Sequence, residues 1–207
     1  AAKDVAAEFI NGRPNDNIGI TLFAGETFTQ CPLTVDHAVL LDMIHNIKCG
    51  LITDGTAVGM GIANAVTRLK DSKAKSKVII LLTDGTNNKG DISPMTAAEI
   101  AKSFGIRVYT IGVGTNGMAP YPYPVGNTVQ YVSMPVEIDE KTLTEIAGTT
   151  DGNYFRATSN SKLKEVYEEI DKLEKTKLNV KEYSKRDEEY HWFALAAFLC
   201  VLLEVLL

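Results

Sequence analysis

The residues of this chain that could bind a metal are an acid and a hydroxyl, each placed where an ordered segment meets a glycine-containing loop. Asp84 and Gly85 follow the apolar run Val78–Leu82 after a single threonine, and Thr56 ends the loop Thr53–Thr56 just before a predicted helix. Mg²⁺ takes oxygen ligands and is usually held by one or two carboxylates, with waters and a group from the bound partner. The two loops therefore predict a site for a hard divalent cation, provided that both lie at one edge of a sheet.

Each of these residues also has a purely structural interpretation. An Asp-Gly pair often makes a turn, which would account for Asp84. Thr56 could cap the helix that follows it. Asp54 is expected to form an Asx turn, although it could also lie at the rim of the metal site, as could Asn87.

Other chemistries fit the sequence poorly. The run Gly112–Gly117 matches the dinucleotide fingerprint in its letters, but the prolines that follow it exclude the helix that must meet the pyrophosphate. The sequence contains no phosphate-binding loop and no serine-nucleophile elbow. No histidine, lysine or second carboxylate stands at a spacing that would make it a catalytic partner of Asp84, so an enzyme is not expected. The three cysteines and three histidines lack metal-site spacing. A net charge of −5 without a dominant basic patch disfavours nucleic acid as a partner.

The apolar pattern predicts an α/β architecture that would position the two loops. Strands over Ile18–Gly25 and Thr27–Cys31 are expected to form a hairpin at a sheet edge, the second one stopped by Pro32. Helices and strands then alternate, which predicts a mainly parallel sheet with helices on both faces. In such sheets ligands bind beyond the carboxyl ends of the strands. Helix starts are predicted at three residues that can act as caps: Asp36, Ser93 and Asp139.

The two ends of the chain and one internal segment stand outside this pattern. The run Trp192–Leu207 carries one charge, Glu204, whereas a helix needs about 20 apolar residues to span a bilayer. We expect a domain over residues 1–174, a solvated connector over 175–191 and a partial membrane anchor over 192–207, with a buried terminal helix as the alternative. The segment Met118–Val132 is long for a connection and is a candidate contact for a partner.

Two quoted runs carry a resemblance to a known family. DGTAVGMGIANAV (Asp54–Val66) and VIILLTDGTNN (Val78–Asn88) resemble the second and third segments of the metal-ion-dependent adhesion site, or MIDAS, of von Willebrand factor A domains. In that family a Thr and an Asp join a D-x-S-x-S loop in holding Mg²⁺, and Thr56 and Asp84 match these two positions. The resemblance implies a Rossmann-like fold, no catalysis, and Mg²⁺, Mn²⁺ or Ca²⁺ offered to a protein partner that donates a carboxylate.

The loops and the apolar tail together are similar to the Bat-type, in particular BatA-like, membrane proteins of bacterial aerotolerance operons. This implies a protein of the bacterial inner membrane with one C-terminal anchor visible. The mixed charge of the connector leaves the side of the domain open, with the periplasmic side favoured over the cytoplasmic one. The implied partners are other Bat-type proteins and a MoxR-type AAA+ ATPase, and the implied role is a stress-related scaffold. A structural membrane protein with a vestigial metal site and a metal-dependent enzyme are the competing hypotheses.

The chain departs from the family pattern in one respect. No D-x-S-x-S occurs in the 207 residues. In the family this loop leaves the first, central strand and leads into the helix that Ala1–Ile10 resembles. We therefore expect the chain to lack that strand and, with Thr56 and Asp84 alone, to bind Mg²⁺ or Mn²⁺ weakly or not at all. A parent protein with the loop would bind the ion tightly.

Overall fold

The computed structural model describes residues 2–48, 50, 52–114, 117–125, 128–136 and 138–184. Within these ranges the chain forms six helices and seven strands. The helices are α1 (Ala2–Asn11), α2 (His37–His45), α3 (Val58–Leu69), α4 (Pro94–Ser103), α5 (Glu140–Thr149) and α6 (Asn160–Ser184). The strands are β1 (Ile18–Phe23), β2 (Thr27–Thr34), β3 (Lys77–Thr83), β4 (Ile106–Val113), β5 (Gly117–Val125), β6 (Thr128–Val136) and β7 (Tyr154–Ala157).

The centre of the fold is a parallel sheet in the strand order β3-β4-β7. Alternate residues of β4 are buried on both faces: Val108 and Thr110 on one face and Tyr109 and Ile111 on the other, all at 0% exposure. A strand needs apolar residues on both faces only when both faces are covered, which confirms the predicted α/β class with a parallel sheet. The described strands also form two separate antiparallel hairpins, β1-β2 and β5-β6.

The main core lies between this sheet and helices α3, α4 and α5. The buried residues of α4 are alanines, which let this helix pack closely in the core. Thr110 can be buried among apolar neighbours because its hydroxyl donates to the Leu143 carbonyl at 2.8 Å. The buried members of the core are Val58, Ile62, Val66, Ile79, Leu81, Ala97, Ala98, Ala101, Ile106, Val108, Ile138, Leu143 and Ile146.

The three predicted helix caps are confirmed. Asp36 accepts from the Val39 amide at 3.2 Å and Ser93 from the Thr96 amide at 3.1 Å. Asp139 accepts from the Thr142 amide at 3.0 Å and also from the Thr142 hydroxyl, and these bonds hold the pKa of its carboxyl below the usual range.

The prediction that Pro32 ends its strand is wrong, because β2 continues to Thr34. β2 pairs only with β1 among the described strands, so it is an edge strand, and an edge position tolerates a residue without an N–H. The hairpin is connected to α3 by side chains: Thr29 donates to Asn64 at 2.8 Å and Arg68 donates to Thr29 at 3.2 Å.

The segment predicted as a long connection is also corrected. Residues 117–125 and 128–136 pair in an uninterrupted antiparallel register from Gly117 opposite Val136 to Val125 opposite Thr128. We call this hairpin the arm. Because the third glycine of Gly112–Gly117 opens a strand and not a helix, the dinucleotide interpretation is excluded.

The chain divides into two compact units, Ala1–Asp171 and Lys172–Leu207. In the second unit the predicted connector is helical as far as Ser184, the end of α6. None of the helices in the described ranges is both long and apolar enough to cross a membrane. The predicted partial span at 192–207 lies outside those ranges.

Candidate metal-binding edge

Asp84 lies at the carboxyl edge of the sheet, directly after the last residue of β3. Thr83 is buried, and its hydroxyl oxygen accepts from the Gly85 amide at 3.3 Å, which turns the backbone sharply at this point. Asp84 itself is exposed. Its carboxylate makes no hydrogen bond or ion pair with any residue that the structure describes, so both of its oxygens are available to a ligand.

Thr56 reaches the same place from a different loop. A Cβ atom built on Gly85 would lie 3.2 Å from Thr56 Oγ1, so the threonine hydroxyl sits against the residue next to Asp84. The structure thus brings the two predicted ligands together although they are 28 positions apart in the sequence (84 − 56). A glycine at position 85 leaves the room that this close approach requires.

The backbone of Thr56 is fixed by the loop after β3. Its amide donates to Asn88 Oδ1 at 2.9 Å, and its carbonyl accepts from the amides of Asn88 at 3.0 Å and Lys89 at 3.3 Å. These bonds use both backbone groups of Thr56 and leave its side-chain hydroxyl free to bind a ligand. Sequence reasoning missed Asn88, because only its contact with a distant loop gives it this role.

The start of α3 is capped from outside its own loop. The cap position is Ala57, which offers no side-chain hydrogen bond, and the amide of Val58 donates instead to Asn87 Oδ1 at 2.9 Å. The interpretation of Thr56 as the helix cap is therefore wrong. Asn87 is placed beside the site, where its amide oxygen satisfies a helix amide; a further role for it at the rim stays a prediction.

Two glycines that sequence reasoning also missed hold the loops against their neighbours. The Gly25 amide donates to the Thr53 carbonyl at 2.7 Å, which ties the turn of the β1-β2 hairpin to the loop of Thr56. A Cβ on Gly59 would lie 2.1 Å from the Ile92 carbonyl oxygen, a distance no side chain could occupy. Gly59 is thus required for α3 to pack on the loop after β3.

The charges around this edge are mixed. Asp54 and Asp84 are exposed there, and the side-chain stem of Lys89 lies over Gly55, where a Cβ would be 2.6 Å from Lys89 Cγ. No group of three or more His, Cys, Asp or Glu residues that could hold a metal occurs in the described part of the chain. The carboxylate and the hydroxyl fit a hard cation whose remaining positions are filled by water and by a partner.

A search against protein families gives one clear match. The family model of the von Willebrand factor type A domain matches residues 1–169. An uncharacterised protein of Borreliella burgdorferi is 27% identical over 203 residues, which is 98% of this chain and 59% of that protein. The chain thus spans between half and two thirds of the length of the curated relatives it matches, from 51% to 59%.

Three solved structures have a similar fold. The conserved hypothetical protein BatB of Bacteroides thetaiotaomicron is 33% identical, with a TM-score of 0.72 over 84% of this chain and 87% of that one. An aerotolerance-related membrane protein of Bacteroides fragilis is 29% identical, with a TM-score of 0.71 over 83% and 85%. Proximal thread matrix protein 1 of the mussel byssus, with a zinc-occupied MIDAS motif, is 25% identical, with a TM-score of 0.62 over 83% and 39%.

Proposed function

Because the chain belongs to the von Willebrand factor type A family, we propose that it is a protein-binding module that offers a divalent cation to a carboxylate of its partner. The observation that carries this proposal is the approach of Thr56 Oγ1 to Gly85, beside an Asp84 carboxylate that no described residue occupies. Domains of this family are typically interaction modules without catalysis, which supports binding over turnover.

Mg²⁺ is the cation that suits this donor set best, with Mn²⁺ and Ca²⁺ as alternatives. Thr56 supplies a neutral oxygen and Asp84 a charged one, and waters with a partner's carboxylate complete six positions. The two ligands that these 207 residues supply would by themselves give a weak site, since affinity rises with the number of charged ligands, and a D-x-S-x-S loop in a parent protein would supply the rest. The relative with a zinc-occupied MIDAS motif supports the use of this edge of the fold for a metal.

The setting that we propose follows from the similarity to BatB and to the aerotolerance-related membrane protein. The domain would be held at the bacterial inner membrane by the apolar run 192–207, on the periplasmic side. On that side the candidate partners are other Bat-type proteins, through an exposed carboxylate. A MoxR-type AAA+ ATPase, which works on the ATP-containing side of the membrane, would be the partner if the domain lies in the cytoplasm. The role would be a stress-related scaffold of the aerotolerance system.

Paramagnetic line broadening by Mn²⁺ tests the metal site, because it detects weak binding residue by residue. The backbone amide signals of Thr56, Gly85 and their neighbours should broaden first when Mn²⁺ is added to the full chain in detergent. The substitution Asp84→Ala should abolish this selectivity. Asp91→Ala is the matched control, because it removes an exposed carboxylate from the same loop and should leave the broadening unchanged. If the same signals still broaden first in the Asp84→Ala variant, the metal site at Asp84 and Thr56 is refuted.

Retention of a purified Bat-type protein or MoxR-type ATPase by the immobilised full chain tests the interaction. Mg²⁺ should support retention, EDTA should release the partner, and Asp84→Ala should act like EDTA. If the amount of partner retained changes neither with EDTA nor with Asp84→Ala, a structural membrane protein with a vestigial metal site is favoured. If the chain hydrolyses a substrate and the Asp84→Ala variant does not, a metal-dependent enzyme is favoured over a binding module.

A further inference from the structure

The arm offers a second interaction surface, made of backbone groups. β5 and β6 pair with each other and with no further strand in the described part of the chain. A two-stranded hairpin alone is at best marginally stable in water, and additional strands stabilise it. On β6 the residues Thr128, Gln130 and Val132 are exposed, Val132 by 46%, so one face of this strand is open to solvent.

The prolines of the arm show which backbone groups point outward. In an antiparallel pair, opposite residues alternate between pairs that bond across the ladder and pairs whose N–H and C=O groups point away from it. All four prolines of the arm fall in one set of pairs. Proline has no N–H, so this set must be the one whose N–H groups point away from the β5-β6 ladder. That set is Met118–Pro135, Pro120–Ser133, Pro122–Tyr131 and Pro124–Val129.

The two outer edges of the arm are therefore unequal. On β5, prolines 120, 122 and 124 leave three outward positions without an N–H, so this edge cannot pair with another strand. On β6, Val129, Tyr131 and Ser133 hold outward positions and each has an N–H and a C=O to offer. One edge is closed and the other is open.

The composition of the arm favours pairing with an identical strand. Residues 117–136 contain no Asp, Glu, Lys, Arg or His, in a chain of which 23% is charged. Charged residues are the usual protection of an edge strand against pairing, and they would also repel a second copy of the same strand. Their absence means that two β6 strands can approach without opposing like charges.

We propose that β6 pairs antiparallel with β6 of a second copy of the chain, about a two-fold axis at Tyr131. Val129 of one copy then stands opposite Ser133 of the other, and the result is a four-stranded sheet in the order β5-β6-β6-β5. Each outermost strand is a proline-closed β5, so the assembly ends at two chains and does not grow into a fibre. The pairing uses residues of β6 and none of the proposed metal ligands Thr56 and Asp84.

Sedimentation of the full chain in detergent, with the detergent mass subtracted, tests this proposal. Two chains per particle are expected. The double substitution Val129→Pro/Ser133→Pro removes two outward N–H groups without touching the β5-β6 ladder, and should give one chain per particle. Val129→Ala/Ser133→Ala is the matched control: it keeps both N–H groups and should remain dimeric. A single chain in the unsubstituted protein, or a dimer that survives the prolines, overturns the proposal.

Disulfide cross-linking covers the case in which the proline variant does not fold. Residues that exchange both hydrogen bonds lie about 5.5 Å apart between Cα atoms, within the range of roughly 4.4 to 6.8 Å that a disulfide spans. Tyr131→Cys, with Cys49 and Cys200 replaced by Ser, should therefore form a covalent dimer under oxidation. Tyr121→Cys on β5 should not. Equal cross-linking of the two variants, or none by Tyr131→Cys, contradicts the two-fold pairing.

Discussion

Two segments leave neighbouring parallel strands at the same edge of the sheet, and they are built in opposite ways. Residues 84–93, after β3, include three charged side chains and are tied to the start of α3 by Asn87, Asn88 and the close approach of Gly59. Residues 117–136, after β4, are uncharged and pair with one another as the arm.

The difference shows two ways in which a sheet edge can present hydrogen-bonding and ligand groups. In the loop after β3, the amides of Gly85, Asn88 and Lys89 are hydrogen-bonded within the protein, while the side-chain oxygens of Asp84 and Thr56 are left for a ligand. In the arm, side chains carry no charge, and the outward backbone groups of β6 pair with no further strand among those that the structure describes. A fixed backbone suits metal binding, which needs defined oxygen positions, whereas an open strand suits pairing with another strand.

The largest effect should come from breaking the packing that fixes the first segment. Gly59→Val places a side chain against the Ile92 carbonyl oxygen and the Ser93 backbone, neither of which can move without displacing the loop. The expected cost is about 3 kcal/mol of unfolding free energy, from overpacking against backbone. Urea unfolding followed by far-ultraviolet circular dichroism measures it.

Gly148→Val is the control for that substitution. Gly148 lies on the exposed side of α5 and a Cβ there would meet nothing within 4 Å, so the same change should leave the free energy of unfolding nearly constant. Equal losses for the two variants would show that valine in a helix, and not the contact with Ile92, is responsible.

The position of Asp84 at the carboxyl edge of the sheet could be predicted from the sequence, and the reason is local. An apolar run followed by Asp84 and Gly85 predicts a strand with an acid at its carboxyl end, and parallel strands end at one edge. The contacts of Asn87 and Asn88 with the start of α3 could not be predicted, because they join positions 29 and 32 residues apart. Nothing in the local sequence of either asparagine distinguishes these contacts from an ordinary turn.

The arm could not be predicted, because its prolines have two meanings. Prolines at every second position exclude a helix, and a segment rich in them predicts an irregular connection. The same spacing also fits a strand whose alternate residues point outward, since only those residues need no N–H. Which meaning applies depends on the register with β6, and the register is a property of the folded hairpin.

The second effect in size should come from opening the closed edge of the arm. Pro120→Ala/Pro122→Ala/Pro124→Ala restores three outward N–H groups on β5, so each dimer gains two further edges that can pair. Particles of more than two chains are then expected, and their mass should increase with protein concentration in sedimentation velocity. Pro135→Ala, on the edge that is already open, should leave the dimer unchanged. A triple variant that stays at two chains would show that the prolines do not limit assembly.

The smallest effect should come from loosening one tether of the loop after β3. Asn87→Ala removes the acceptor of the Val58 amide and leaves that helix amide unsatisfied, which should cost about 1 kcal/mol of unfolding free energy. The Val58 amide should also exchange its hydrogen faster, while Asp84 and Thr56 keep their side-chain oxygens. Thr86→Ala, an exposed neighbour in the same loop, is the control and should change neither quantity. If Asn87→Ala leaves the exchange of Val58 unchanged, this tether is not what fixes the segment, and the contrast with the arm rests on the bonds of Asn88 and the packing of Gly59.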